Sequence, residues 1–376
     1  MISIEKLPER IRAVVLEKPE VLKVKQIPMW PIESYGVPDM VLLKVKACGI
    51  CGSDLRYFKG ENPWAQHTLG KHIPNPPNIV LGHEVTGYVV AVLDKKNENL
   101  LGKRVAPISS RVCGKCVYCR AERENLCPNT IHLGHGQGWE KQEYYPGAYS
   151  EYVPAWGANC YEIPENLSYD EATVLDILAV CVRATHQGKV GEDSIVLVLG
   201  SGPCGNGIAQ ISRILGASKV IVTERIDTRL ELARKQNFDL VIDAKDKTNE
   251  ELREIVLKET TNRGCSSIFD TIGTKESISL GLSLLDKGGT LVNVAVHDEL
   301  VEFNEMALGG ERSIVTTCNF KANDYPIALS WLAMRRINVE GWISNVKLEE
   351  VPETFDKLIN YKEGKRGSLK IVIHPE

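Results

Sequence analysis

Four cysteines have the residue type and spacing that most clearly indicate metal chemistry in this chain. They lie in the segment RVCGKCVYCRAERENLCPN with the spacing C-x2-C-x2-C-x7-C, at Cys113, Cys116, Cys119 and Cys127. Two residues between cysteines allow successive thiolates to turn toward one point, and the fourth completes the tetrahedron of a structural zinc site without an open position. Disulfides or four unrelated thiols are the alternatives, but this clustering favours zinc. A closed site of this kind stabilises a fold and catalyses no reaction.

A glycine-rich turn, GSGPCG at 200–205, directly follows the apolar run SIVLVL and precedes a helical pattern. In a dinucleotide-binding loop the first glycine makes the tight turn, the second lets the pyrophosphate approach the backbone, and the third lets the helix pack on the strand. The helix N-terminus then offers N–H groups to the phosphates. A purely structural turn is the alternative. The candidate cofactor-binding residues of this turn are Gly200, Gly202, Pro203, Cys204 and Gly205.

A carboxylate at the end of the next strand indicates which nicotinamide cofactor is bound. Glu224 ends the strand-like KVIVTE, 19 residues after Gly205 (224 − 205). A carboxylate there accepts hydrogen bonds from the adenosine ribose hydroxyls and repels a 2′-phosphate, which favours NAD over NADP. The neighbouring Arg225 weakens this preference, because an arginine can accommodate the 2′-phosphate, so NADP stays possible. Arg225 and Arg229 are further candidate cofactor-binding residues.

A second group of metal-ligand residue types is spread over three segments. Cys51 lies in GICGSD, His83 and Glu84 lie in GHE, and Asp176 lies in VLDILAV. A catalytic zinc needs about three protein ligands and one open position for water or substrate. Cysteine, histidine and one carboxylate would meet that need if the fold brings them together. The alternative is ordinary burial, since a lone histidine or cysteine is more often packed in a core.

The elements that must position these residues fall into two groups. The first ~170 residues are rich in short β-branched runs and loops, including a long loop between Tyr57 and Val80. The segment SYDEATVLDILAVCVRATHQG predicts a helix with Ser168 as N-cap and Glu171 in a capping box. Strands and helices then alternate, which implies a doubly wound α/β domain. After Cys318 the pattern changes, and the tail ends in the strand-like LKIVIHPE.

Composition bounds the class of protein. The 376 residues, 43% hydrophobic and 25% charged, are typical of a globular protein with two or three domains. A net charge of −4 gives no electrostatic reason to expect nucleic acid or membrane partners. No apolar run reaches the ~18 residues that span a bilayer, and the N-terminal segment lacks the apolar region of a signal peptide. The seven cysteines outside the cluster are scattered and odd in number, so we expect reduced thiols and a cytoplasmic location.

The chain resembles the zinc-containing medium-chain dehydrogenase/reductase family across nearly its whole length. The matching motifs, in order, are GICGSD, GHE, the four-cysteine lobe, GAYSEYV, VLDILAV and GSGPCG. The resemblance implies a GroES-like, β-rich catalytic domain over 1–175 and 319–376, with a structural zinc lobe at about 111–128. It also implies a Rossmann NAD-binding domain over 176–318, two zinc ions per chain, and a homodimer or homotetramer.

The resemblance also implies roles at the second metal site. Cys51 and His83 would bind catalytic zinc. In the polyol and threonine branches the third ligand is a carboxylate on the helix that corresponds to VLDILAV, which is Asp176 here. Glu84 is a neighbour that enters the metal shell in some members. Asp54 would accept the other ring N–H of His83 and fix its tautomer.

Proton transfer departs from the family pattern at one position. Ser53 would take the substrate hydroxyl proton, but Arg56 stands where many alcohol-oxidising members carry a relay histidine. An arginine does not titrate near neutral pH, so the proton must leave through the cofactor ribose, water or another group. His67 and His72 in the long loop are candidates, although solvent-exposed loop residues of no catalytic role are the simpler reading.

The chemistry implied by the resemblance is reversible oxidation of a secondary alcohol to a ketone, with hydride transfer to the nicotinamide. Val294 and Val296 would line the nicotinamide, and His297 would lie at the rim of the cleft. GICGSD with an acidic third ligand resembles the sorbitol, threonine and sugar branches. We therefore expect a small polyhydroxylated substrate, such as a polyol, sugar or inositol derivative. L-Threonine is the alternative, suggested by NPWAQHT, and a non-catalytic zinc-binding member is a further hypothesis.

Overall fold

The structure, a computed structural model, describes residues 1–295, 297, 300–360 and 368–376 of the chain. The chain forms two compact units. Among the described residues, the first unit contains 1–176, 343–360 and 370–376, and the second contains 177–342 and 368–369.

The strands, in chain order, are β1 (Ile2–Ser3), β2 (Arg10–Lys18), β3 (Val21–Pro28), β4 (Met40–Gly49), β5 (Ile79–Val80), β6 (Glu84–Val92), β7 (Arg104–Pro107), β8 (Ser110–Arg111), β9 (Ile131–His132), β10 (Tyr152–Trp156), β11 (Cys160–Glu162), β12 (Ile195–Leu199), β13 (Lys219–Glu224), β14 (Leu240–Asp243), β15 (Cys265–Asp270), β16 (Leu285–Asn293), β17 (Ser313–Thr316), β18 (Ile343–Lys347) and β19 (Lys370–His374).

The α-helices are α1 (Gly52–Phe58), α2 (Val117–Arg120), α3 (Tyr169–Ala172), α4 (Leu175–Gln187), α5 (Pro203–Ile214), α6 (Asp227–Lys235), α7 (Asn249–Glu259), α8 (Lys275–Leu284), α9 (Asp324–Ala333) and α10 (Val351–Ile359). Short turns of other helix types lie at Ile32–Tyr35, Ala65–Leu69, Lys95–Leu100, Glu124–Leu126, Gly157–Asn159, Glu305–Leu308 and Leu348–Glu350. Within the described part of the chain, no helix is both long and apolar enough to cross a lipid bilayer.

The first unit is built on a largely antiparallel sheet in the order β11-β7-β6-β4-β19-β18, with β1 paired to β6 and β10 paired to β4. A second sheet has the order β3-β2-β5. The central strand β4 is an apolar run whose residues Met40, Val41, Leu42 and Leu43 are fully buried. Such a run is buried on both faces, so it forms the centre of the core of this unit.

The second unit is a parallel sheet in the order β14-β13-β12-β15-β16-β17, with α5 to α8 in the connections. In β12 the residues Val196, Leu197 and Val198 are fully buried, as expected for a strand covered on both faces. This is the doubly wound order, in which the connections change direction between β12 and β15. The predicted fold class, a β-rich domain joined to a Rossmann domain, is confirmed.

The second crossing between the units lies later than the sequence analysis placed it. The predicted return to the catalytic domain was at residue 319, whereas the compact units divide after Trp342. Helix α9 stays with the second unit, where Leu332 is fully buried. Gln210 of α5 donates to the Asn338 carbonyl at 2.9 Å and accepts from the Asn338 N–H at 2.7 Å. These tertiary hydrogen bonds leave no local signal in the sequence.

Two local elements also differ from the sequence analysis. The predicted long loop between Tyr57 and Val80 contains the helical turn Ala65–Leu69, because the Asn62 side chain accepts from the Ala65 N–H at 3.0 Å. The predicted single helix from Ser168 is two helices, α3 and α4. Ser168 and Glu171 form the expected capping box on α3, and the Thr173 hydroxyl donates back to the Asp170 carbonyl at 2.7 Å where α3 ends.

Candidate functional site

The four cysteines of the lobe meet at one point. Strands β8 and β9 pair antiparallel at the base of the lobe and bring its ends together. The sulfur–sulfur distances are 3.5 Å for Cys116–Cys119, 3.6 Å for Cys113–Cys127, 3.9 Å for Cys116–Cys127 and 4.0 Å for Cys113–Cys119. Four sulfurs bound to tetrahedral zinc at ~2.3 Å are about 3.8 Å apart. The arrangement therefore fits a zinc ion with four thiolate ligands.

Backbone N–H groups of the lobe point at its sulfurs. The Cys119 N–H donates to Cys116 Sγ, and the Cys113 N–H donates to Cys127 Sγ, both at 3.5 Å. A hydrogen bond from the Lys115 backbone, the largest influence, lowers the pKa of Cys113 to about 6. Donors that face sulfur stabilise the thiolate form, which is the form that binds metal.

The pairing of β4 with β6 builds the second cluster. In this register Gly49, near the end of β4, lies opposite Glu84 at the start of β6. Cys51 therefore follows β4 at the point where His83 precedes β6. The ligand atoms of Cys51, His83 and Glu84 all lie within 4.8 Å of one another. The structure thus brings together three of the four residues predicted for an open metal site.

Asp54 is the hydrogen-bonding centre of this cluster. It is fully buried and accepts from the Cys51 backbone N–H at 2.9 Å and from the Tyr149 hydroxyl at 2.7 Å, both at Oδ2. Its other oxygen, Oδ1, lies 3.4 Å from His83 Nδ1. Burial alone would lower the pKa of His83, but Asp54 and Cys51 raise it well above its usual value. Asp54 is placed to fix the His83 ring. Its hydrogen-bond donor Tyr149 was not predicted from the sequence.

A buried lysine pairs with Glu84. Lys370 of β19 is 4% exposed, and its Nζ lies 2.6 Å from Glu84 Oε1 and 3.2 Å from the Ile50 carbonyl. Gly49 is needed here, because a Cβ at that position would lie 2.2 Å from Glu84 Oε2. Lys370 is not among the residues predicted from the sequence. The signal was present as a single charge inside the apolar strand LKIVIH, since a buried lysine is almost always paired.

Asp176, the predicted third ligand, does not belong to the three-residue group that converges within 4.8 Å. It lies in the first turn of α4, and burial raises its pKa to about 6, with further effects from His83, Glu84 and Lys370. These effects indicate that Asp176 faces the same charged cluster. Its role as a direct ligand stays a prediction.

The predicted proton-transfer residues differ in their surroundings. Ser53 lies on α1, and its buried Oγ has no hydrogen-bond partner among the described residues. Arg56 donates to Glu61 at 2.6 Å, and its guanidinium also lies 3.3 Å from His67 Nε2. His67 and His72 are both exposed. The Ser53 hydroxyl is therefore unpaired among the described residues, whereas Arg56 is held by Glu61 and His67.

Two histidines that the sequence analysis did not select lie beside His83. The His135 ring is 4.6 Å from the His83 ring, 5.2 Å from the His132 ring, and stacked on Tyr57 at 4.3 Å. His132 and His135 are 8% exposed, and His132 Nε2 and both ring nitrogens of His135 have no hydrogen-bond partner among the described residues. Burial lowers the pKa of His132 to about 3 and the pKa of His135 well below its usual value. Both imidazoles are neutral near pH 7.

The glycine-rich turn has the geometry that its sequence predicts. Gly200 directly follows β12 and has φ +89°, in the left-handed region that favours glycine. A Cβ at Gly205 would lie 1.9 Å from the Gly200 carbonyl oxygen, so only glycine permits this contact between strand and helix. Helix α5 begins at Pro203 directly after Gly202. Its N-terminal N–H groups are thus presented where a pyrophosphate binds in such folds.

Glu224 lies beside the glycine-rich turn. It is 6% exposed and accepts from the backbone N–H groups of Ser201, Arg225 and Ile226 at 2.8, 2.7 and 3.0 Å. The Arg229 guanidinium is 3.8 Å from Glu224 Oε2. The carboxylate therefore stabilises the glycine-rich turn and the start of the segment that follows β13. The Arg225 guanidinium donates to the Ala244 carbonyl at 3.3 Å.

The predicted nicotinamide segment follows β16. The Val294 N–H donates to the Asp270 carbonyl at 2.9 Å, and the exposed His297 lies 3.1 Å from the Ile272 carbonyl. Val296 lies outside the described residues. Asp270, which the sequence analysis missed, is fully buried and accepts from the Ile272 and Gly273 N–H groups.

Known proteins match both parts of this architecture. Residues 37–165 match the alcohol dehydrogenase GroES-like domain, and residues 203–334 match the zinc-binding dehydrogenase domain. A D-arabitol-phosphate dehydrogenase of Enterococcus avium is 31% identical over 90% of this chain and 91% of its own length. The chain belongs to the zinc-containing medium-chain dehydrogenase/reductase family. The present chain is also 27% identical to a sorbitol dehydrogenase of Bacillus subtilis, over 98% of each chain.

Solved structures agree with this assignment. A zinc-binding dehydrogenase from Sinorhizobium meliloti, solved with NADP, superimposes with a TM-score of 0.84 at 25% identity and covers 98% of this chain and 100% of its own. The protein is therefore an oxidoreductase of the alcohol and polyol dehydrogenase class, and the predicted family and enzyme class are confirmed.

Proposed function

We propose that this dehydrogenase oxidises a secondary alcohol of a neutral polyhydroxylated substrate, such as a polyol, sugar or cyclitol, to a ketone with NAD. The observation that carries the proposal is the convergence of Cys51, His83 and Glu84 within 4.8 Å, next to a Ser53 hydroxyl that has no partner among the described residues. This is a donor set for one metal ion with a proton acceptor beside it.

Zinc and a nicotinamide cofactor, when bound, supply a Lewis acid that acidifies the alcohol and an acceptor for its hydride. Cys51, His83 and a carboxylate from Glu84 or Asp176 would hold the metal. Asp54 would keep the His83 ring in the tautomer whose other nitrogen faces the metal. Ser53 Oγ would accept the substrate hydroxyl proton and pass its own proton on to the cofactor ribose, water or another group.

The surroundings of the cluster favour neutral hydroxyl groups. His132 and His135 are neutral imidazoles, and each offers one donor and one acceptor, as a vicinal diol requires. Among the described residues, Arg56 and Lys370 lie near the cluster, and they are paired with Glu61 and Glu84 respectively. A phosphate or carboxylate on the substrate would find both cations already engaged. This supports a neutral substrate, of the kind named for the sorbitol relative, over a phosphorylated one, of the kind named for the D-arabitol-phosphate relative.

NAD is the proposed cofactor, because the buried Glu224 ends β13 beside the glycine-rich turn, and a carboxylate at that position in such folds repels a 2′-phosphate. NADP is the alternative cofactor, because the Sinorhizobium meliloti relative was solved with NADP bound. We also propose that each chain binds two zinc ions and that the protein is a cytoplasmic homo-oligomer. The sulfur geometry of the lobe supports the second zinc.

A screen of polyols, inositols, aldoses and phosphorylated polyols with NAD and NADP tests the proposal. We expect reduction of NAD with at least one neutral polyol, two zinc ions per chain by elemental analysis, and weaker activity with phosphorylated analogues. One zinc per chain and no turnover with any alcohol would refute it. Activity restricted to phosphorylated substrates would overturn the neutral-substrate part alone.

L-Threonine is the second candidate substrate. Trp64, in the stretch NPWAQHT, lies edge-on to His132 at 6.5 Å, so this stretch does border the histidine pair. L-Threonine carries a carboxylate and an ammonium group, and it belongs in the same screen. Turnover of L-threonine above that of every polyol would favour this candidate.

The carboxylate ligand is tested by Asp176→Asn. If Asp176 binds the metal, the variant loses the catalytic zinc and keeps the zinc of the four-cysteine lobe. If both zinc ions and the rate are retained, Glu84 is the carboxylate ligand and the Asp176 assignment is wrong.

A further inference from the structure

Two cysteines are in contact beside the glycine-rich turn. Neither belongs to the two proposed metal sites. Cys181 lies on α4, and Cys204 is the second residue of α5. Their sulfur atoms are 3.8 Å apart, and the Cys181 thiol donates to the Cys204 carbonyl at 3.3 Å. Both residues are thiols and both belong to the second unit. The contact therefore joins the phosphate-binding end of α5 to a buried helix.

Close packing of the two helices holds the sulfur atoms together. Gly207 lies three residues after Cys204, on the same face of α5. A Cβ at Gly207 would lie 2.8 Å from Cys181 Sγ, so this sulfur packs directly on the glycine backbone. Cys181 is fully buried, whereas Cys204 is half-buried. An oxidant in solution can thus reach Cys204 first, with Cys181 positioned behind it.

We propose that Cys181 and Cys204 form a reversible oxidation site that weakens cofactor binding when its disulfide forms. The oxidant is a peroxide. Cys204 loses its proton, its sulfur attacks one peroxide oxygen, the O–O bond breaks, and the leaving hydroxide takes the proton as water. Cys181 sulfur then attacks the sulfenic sulfur of Cys204, the S–O bond breaks, and its hydroxide leaves with the Cys181 proton as a second water. Two thiols are oxidised to one disulfide, and one peroxide is reduced to two waters.

The disulfide changes the loop because its bond is shorter than the present contact. A disulfide holds its sulfur atoms about 2.05 Å apart. The sulfur atoms now lie 3.8 Å apart, so they must approach by about 1.8 Å. Cys181 is fixed in a buried helix, so most of the movement falls on the first turn of α5. That turn carries the N–H groups proposed for the pyrophosphate, and this effect rests on the proposed NAD site. Loss of about one hydrogen bond to a phosphate weakens binding about tenfold.

The zinc-loaded protein treated with limiting hydrogen peroxide tests the inference. Peptide mapping without reductant should find Cys181 linked to Cys204, with the pair two hydrogen atoms lighter. NADH affinity, measured by fluorescence titration, should fall about tenfold and recover with dithiothreitol. In Cys181→Ser the disulfide cannot form, so dimedone should label Cys204 as a sulfenic acid. Cys318→Ser removes another half-buried thiol of the second unit and should behave as the parent.

Three outcomes would overturn the inference. They are the absence of the linked peptide, a linked peptide with unchanged NADH affinity, and a loss of affinity that follows release of zinc rather than formation of the link. Failure of the proposed function gives a different result, because the reduced protein would then not bind NADH, while the peptide map would still decide whether the link forms.

Discussion

Asp54 contacts both Cys51 and His83, the two residues proposed to bind the catalytic metal. One oxygen faces His83 Nδ1, and the other accepts from the Cys51 backbone and from Tyr149. The carboxylate therefore fixes both proposed protein ligands at once. Groups that orient metal ligands in this way typically change metal affinity or activity by about 10 to 100-fold when removed.

Asp54→Asn should lower kcat/KM and zinc affinity at the Cys51 site by about 10 to 100-fold, because a neutral amide no longer fixes the His83 ring. Tyr149→Phe is the matched variant, since it removes one hydrogen bond to Asp54 and keeps the carboxylate. It should cost less than about tenfold. Steady-state kinetics and competition with a metal chelator measure both. Equal effects of the two variants would contradict the role given to the Asp54 charge.

Gly49 offers a second test at the scale of one residue. A methyl group at Gly49 would lie 2.2 Å from Glu84 Oε2, whereas a methyl group at Gly52 meets nothing within 4 Å. Gly49→Ala should therefore displace Glu84 from the cluster and from Lys370, with a loss of catalytic zinc and activity of at least about tenfold. Gly52→Ala should stay within about twofold of the parent. A Gly49→Ala enzyme with full zinc content and activity would show that Glu84 has no part in metal binding.

At the scale of elements, the four-cysteine lobe lies between two paired strands, β8 and β9, of two residues each. Its helices are short, and only Cys127 of its four cysteines is fully buried. Elements this short cannot bury enough apolar surface to hold their own conformation. The proposed metal must therefore supply most of the order in the lobe, as structural zinc does in other small domains.

Cys127→Ser should lower the zinc content from two per chain to about one and lower the melting temperature, because one thiolate of the closed site is lost. Elemental analysis and thermal unfolding measure the two effects. Cys160→Ser lies outside the lobe and should keep both zinc ions. Loss of zinc without any change in melting temperature would mean that the lobe is ordered by protein contacts alone.

At the scale of the whole molecule, the buried histidine pair makes stability depend on pH. Burial, followed by the charge of His83, lowers the pKa of His132 from 6.5 to about 3. Between these values the unfolded chain binds a proton that the folded chain does not, so stability falls as the pH drops below 6.5 toward 3. At pH 5 the expected loss from His132 is about 2 kcal/mol.

His132→Phe should reduce this acid sensitivity. Urea unfolding at pH 7 and pH 5, with zinc in excess, should give a loss of stability that is about 2 kcal/mol smaller in the variant than in the parent. Comparing the pH difference within each protein cancels the packing effect of the substitution itself. The same loss in both proteins would mean that His132 binds its proton equally well folded and unfolded.

The elements that sequence reasoning found are those whose signal is local. The apolar run of β12, the glycine turn and the first residues of α5 are contiguous, and each carries its own constraint, such as the contact of Gly205 with the Gly200 carbonyl. The cysteine spacing is local in the same way. The single helix predicted from Ser168 was wrong only between α3 and α4, where the Thr173 hydroxyl donates to the Asp170 carbonyl. That hydrogen bond is local, but it has no recognisable sequence signal.

By itself, the sequence determined the fold class and the residue types of both metal sites, because periodicity and motif spacing are properties of neighbouring residues. The enzyme family followed from the resemblance of its motifs to those of a known family. Tertiary structure alone brought a ligand atom of Glu84 within 4.8 Å of that of Cys51, since the β4–β6 register places Glu84 opposite Gly49. It also decided the Glu84 partner Lys370, which lies 286 positions away in the chain, and the contact of Cys181 with Cys204. Long-range partners are selected by packing and by the need to neutralise buried charge, and neither leaves a pattern along the chain.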